Sequence, residues 1–126
     1  MIGLSIAKLL KAHQALVPGL VLSDSIFPYV ANENTPLPII IYTIDGMDSL
    51  YTKDGWVGDE ISFSVISLSE DYASLQSIVK EVRNALLMEK DTYTRRFETV
   101  GMQEGFSITE NVFMNKLSFQ VKIDSY

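Results

Sequence analysis

Within one unbroken stretch, from Glu60 to Met88, the spacing of apolar residues changes its period. Ile61, Phe63 and Val65 alternate with Ser62 and Ser64, which puts apolar side chains on one face of a strand and hydroxyls on the other. Ile66 and Leu68 fall on the second parity, so this end of the strand is expected to be covered on both faces. Beyond Ser69 the spacing becomes helical: Tyr72, Leu75, Ile78, Val79, Val82, Ala85 and Leu86 share one face, while Gln76, Lys80, Arg83 and Asn84 point away. Ser69 is the expected N-cap, and Glu70 and Asp71 suit the positive end of the helix dipole. A half-buried strand feeding an amphipathic helix requires further strands to complete a sheet, with the helix stripe packed on it.

The remaining segments supply those strands. Ile2, Ile6, Leu9, Leu10, His13, Leu16 and Val17 recur at helical spacing, and Pro18-Gly19 ends that helix. The run from Val21 to Val30 contains Pro28, so any strand there is short or at an edge. Asn32 to Pro36 is a polar turn. Pro38 to Ile44 is β-branched and apolar on both parities, which predicts a strand covered on both faces or lying in an interface. Gly46 to Gly58 reads as a long loop or an extended hairpin, and its two large aromatics, Tyr51 and Trp56, argue against disorder. Thr92 to Met102 reads as a strand, followed by a turn or bulge over Gly101 to Gly105. The last strand, near Asn115 to Asp124, points Leu117, Phe119, Val121 and Ile123 inward. Two helices and four or five strands without a β-α-β-α rhythm predict an α+β two-layer sandwich: a mainly antiparallel four- to five-stranded sheet with two helices on one face.

Composition narrows the function classes. A chain of 126 residues fits one domain, and 47% hydrophobic residues provide the material for a core. With no cysteine, disulfides and thiolate chemistry are excluded. Acids outnumber bases 16 to 10, a net charge of −6 that disfavours nucleic-acid binding, which depends on Lys and Arg at phosphates. It is compatible with a wall that DNA passes without sticking. Lys8 and Lys11 interrupt the apolar start, which lacks the features of a signal peptide. No apolar run reaches the roughly 18 residues of a spanning helix, so a soluble, cytoplasmic product without membrane contact is expected.

Chemistry is sparse. The single histidine, His13, lies on an apolar helix face with no assignable partner for acid–base work. One His and no Cys cannot make a zinc site. Asp45, Asp48 and Asp54 lack the order of a calcium loop and its closing glutamate. Asp59 and Glu60 are adjacent on a strand and point to opposite faces, so they would not flank one substrate. No nucleophile motif or phosphate-cradling loop is present, and no catalytic residue, metal or cofactor is expected. The candidates that remain are contact residues. Arg95-Arg96 is a basic doublet that is either solvated or pairs across a subunit boundary with acids near Asp59. Tyr51 and Trp56 either fold back over the core or are buried by another subunit. Tyr51, Trp56, Asp59 and Arg95 are therefore the candidate oligomer interface.

The order of these pieces resembles a known family. A helix ending Val17-Pro18-Gly19 is followed by Ile26-Phe27-Pro28, then by Thr35-Pro36-Leu37-Pro38-Ile39-Ile40-Ile41-Tyr42. A Gly- and Asp-rich loop leads to the Glu60–Leu68 strand, Asp71-Tyr72-Ala73 opens the second helix, and an alternating strand closes the chain. Over nearly its whole length the chain resembles the small tail-completion proteins of tailed phages and prophages, which are similar to the tail terminators of long-tailed phages. The resemblance implies one tail-completion-like α+β domain over residues 1–126. It implies a subunit that forms a homo-oligomeric ring, typically a hexamer, on the end of the tail tube. Its partners would be tail-tube and head-connector proteins, with DNA passing through the centre without specific binding. Such a subunit is a virion component assembled in the host bacterial cytoplasm. The segment from Phe97 to Asn115 departs from the family pattern. Two other classes stay open: a monomeric adaptor, neck or assembly-chaperone protein, and an enzyme whose site would need a pocket of convergent polar groups.

Overall fold

The computed structural model describes residues 26–30, 37–88 and 96–123. The helix expected before Pro18, the Asn32–Pro36 turn, His13 and Arg95 lie outside them. The elements are β1 (Ile26–Pro28), β2 (Ile39–Thr52), β3 (Gly55–Ser69), α1 (Tyr72–Met88), β4 (Arg96–Ser107) and β5 (Val112–Ile123). All five strands join one sheet in the order β1-β2-β3-β5-β4. β1 runs parallel to β2, and every other pairing is antiparallel.

This corrects the expected α+β sandwich with two helices on one face. The described residues form a mostly β fold: one mixed five-stranded sheet carrying a single helix. The physical reason is strand length. β2 spans 14 residues and β3 spans 15, because the Gly46–Gly58 segment continues the ladder as an extended hairpin. β4 likewise runs through Gly101 and Gly105 to Ser107, so the turn falls at 108–111, where Asn111 takes a positive φ of 56°.

One face of the sheet holds the core. Ile61, Phe63 and Val65 of β3 lie in register with Val121, Phe119 and Leu117 of β5. Leu75, Ile78, Val79, Val82 and Leu86 of α1 close over them, with Ile26, Ile40 and Tyr42 at one side. The Phe63 and Phe119 rings stack at 5.2 Å and 15° in the middle of this layer. Each fully buried aliphatic or aromatic side chain contributes about 1.5–3 kcal/mol relative to its exposed state.

The strand and helix signals at 60–88 are realised with two adjustments. Asp71, rather than Ser69, caps α1: its Oδ2 accepts from Ser74 N at 3.0 Å and from Ser74 Oγ at 2.8 Å. Ser69 Oγ instead accepts from Asp71 N at 3.2 Å, which fixes the approach to the cap. Tyr72 sits at the exposed end of the helix stripe. Its ring meets Phe113 edge-on at 5.4 Å, and Phe113 in turn packs on Phe106 at 4.7 Å.

Candidate functional interface

The β2–β3 hairpin runs beyond the part of the sheet that α1 covers, and two bulges set which side chains it presents. Ile44 pairs with Phe63 and Gly46 with Ser62, so Asp45 is an extra residue on β2. Leu50 pairs with Gly58 and Tyr51 with Trp56, so Val57 is an extra residue on β3. A bulge reverses the parity of the strand beyond it. The core face of β2 therefore reads Ile40, Tyr42, Ile44 before Asp45, and Met47, Ser49, Tyr51 after it. On β3 it reads Val65, Phe63, Ile61, Asp59 and then Trp56.

Each bulge is held by a carboxylate. Asp45 Oδ1 accepts from Thr43 Oγ1 at 2.9 Å, and its Oδ2 accepts from the buried hydroxyl of Ser64. Asp59 Oδ1 accepts from Ser49 Oγ at 2.8 Å and from the Trp56 indole Nε1 at 2.9 Å. Asp59 is only 6% exposed, whereas Trp56 is 43% and its register partner Tyr51 is 71% exposed. The hairpin ends in Lys53-Asp54, with Gly55 at φ +112° closing the turn. Met47, Tyr51 and Trp56 thus prolong the core face as exposed apolar surface without a covering helix among the described residues.

Three of the four residues singled out in the sequence are brought together here: Tyr51 and Trp56 at the tip, and Asp59 anchoring Trp56 at the base. Arg95 lies outside the described residues. Asp59 faces the α1 side and Glu60 the other, as adjacent strand residues must. Asp45, Asp48 and Asp54 do not converge, and among the described residues no group of three His, Asp or Glu is placed to hold a metal ion.

A second polar cluster ties β4 to the start of α1. Glu104 Oε1 accepts from Gln76 Nε2 at 2.8 Å and from Asn115 Nδ2 at 3.4 Å. Its Oε2 accepts from the Tyr72 hydroxyl at 3.0 Å. The Gln76 hydrogen bond, then the Tyr72 one, hold the Glu104 carboxyl below its ordinary value. Tyr72 is pushed up, first by that same hydrogen bond and then by the Glu104 charge. These groups brace a helix against a strand and are not arranged around a pocket.

No protein-family model matches the sequence, and no curated protein matches it either. Among solved structures, the virion of a native gene transfer agent (GTA) particle contains a similar chain. It superposes with a TM-score of 0.70 at 13% identity, over 95% of this chain and 92% of that one. The two chains share a fold. A structure from Akkermansia muciniphila, described as without its transmembrane region, aligns at a TM-score of 0.38 and 10% identity, over 67% of this chain and 45% of that one.

Sequence reasoning singled out the hairpin aromatics without their geometry. The signal for it was Asp54-Gly55 between segments that each alternate, the dipeptide that marks tight hairpins. The Glu104 cluster had no sequence signal, because Tyr72, Gln76, Glu104 and Asn115 meet only through tertiary packing.

Proposed function

We propose that this chain is a structural subunit of a phage-like virion, working as a tail-completion or tail-terminator protein. Copies form a ring, a hexamer in the family it resembles, that ends the tail tube and joins tail to head. The observation that carries this reading is the shared fold, at a TM-score of 0.70 and over 95% of the chain, with a chain of a GTA virion. The order of sequence segments points independently to the same class of protein. Self-association is further supported by the exposed Met47–Tyr51–Trp56 surface, since aromatic side chains are over-represented among interface anchors. Tyr51, Trp56, Asp59 and Arg95 are proposed to lie at the subunit boundary. Tail-tube and head-connector proteins are the other partners. DNA passes through the ring without specific binding, consistent with a net charge of −6 that gives phosphates little to hold. In this role the chain catalyses nothing and acts as a virion component assembled in the host cytoplasm.

Light scattering over a concentration series tests the reading. Wild-type protein is expected to reach a molar mass of several subunits, and Trp56→Ala with Tyr51→Ala to stay monomeric with unchanged far-UV circular dichroism. A wild-type monomer at every concentration, both alone and with tail tubes added, would contradict it.

A further inference from the structure

We draw no further inference here: the strongest candidate, the exposed apolar face of Met47, Tyr51 and Trp56 on the β2–β3 hairpin, belongs to the surface already proposed for self-association, and nothing in the structure shows what covers it.

Discussion

Replacing Asp59 by alanine removes the anchor of the hairpin, and the structure sets the size of the effect. Asp59 Oδ1 accepts two hydrogen bonds of normal length, 2.8 Å from Ser49 Oγ and 2.9 Å from Trp56 Nε1. A hydrogen bond to a charged group contributes about 1.5–3 kcal/mol. Ser49 is exposed and Trp56 partly so, which lets water replace the lost acceptor for both donors. These two bonds together therefore contribute near the value of one such bond, so Asp59→Ala should cost at least about 2 kcal/mol, a fall in Tm of about 6 °C or more for a chain of this size. Asp59→Asn keeps an acceptor oxygen and should cost about half as much, near 1 kcal/mol. Trp56 is the chain's single tryptophan, so its fluorescence reports on the hairpin itself. Urea unfolding followed by this emission and by far-UV circular dichroism measures the local and global effects together. Asp59→Ala should shift native emission to longer wavelength and lower the unfolding midpoint. Unchanged emission with a midpoint shift worth less than about 0.5 kcal/mol would refute the clamp.

Phe119→Ala empties the centre of the core, where the ring is fully buried and stacked on Phe63, and should cost about 3–5 kcal/mol in equilibrium unfolding. Gly55→Ala meets no atom within 4 Å but forces a side chain onto φ +112°, so a loss of about 1–2 kcal/mol from backbone strain alone is expected. Gly46→Ala has the same free space without the left-handed φ, and should change stability by less than about 0.5 kcal/mol in the same assay. Glu104 and Asp71 are held below their ordinary values of 4.5 and 3.8, Glu104 chiefly by Gln76 and Asp71 chiefly by Ser74. Groups depressed on folding contribute stability above their unfolded pKa and lose it as pH falls through the folded one. Melting temperature should therefore decline on acidification from 4.5 downward, and Glu104→Gln should flatten that decline.

The sequence was informative wherever an element kept one period. β3 from Glu60 to Leu68, the buried stripe of α1 and the inward residues Leu117, Phe119 and Val121 were legible because nothing interrupts their spacing. The short edge strand at Ile26–Pro28 followed from its proline. The long hairpin was ambiguous for a physical reason. Asp45 and Val57 each insert one residue, so apolar side chains that lie on one face alternate in the sequence on both parities. Val100 does the same to β4, which hid the strand's continuation to Ser107. Helix capping was assigned to Ser69, with Asp71 read as an acid of the first turn, and only the geometry gives the cap to Asp71. The exposed Tyr51 and Trp56 stood out as large aromatics among polar neighbours.

Copies of this chain are proposed to form a ring on a tail tube. Negative-stain microscopy of the purified protein, alone and with tail tubes added, tests it most directly. Closed rings with a central hole wide enough for duplex DNA, free or seated on tube ends, are the predicted result. Monomers in both samples and bare tube ends would contradict it.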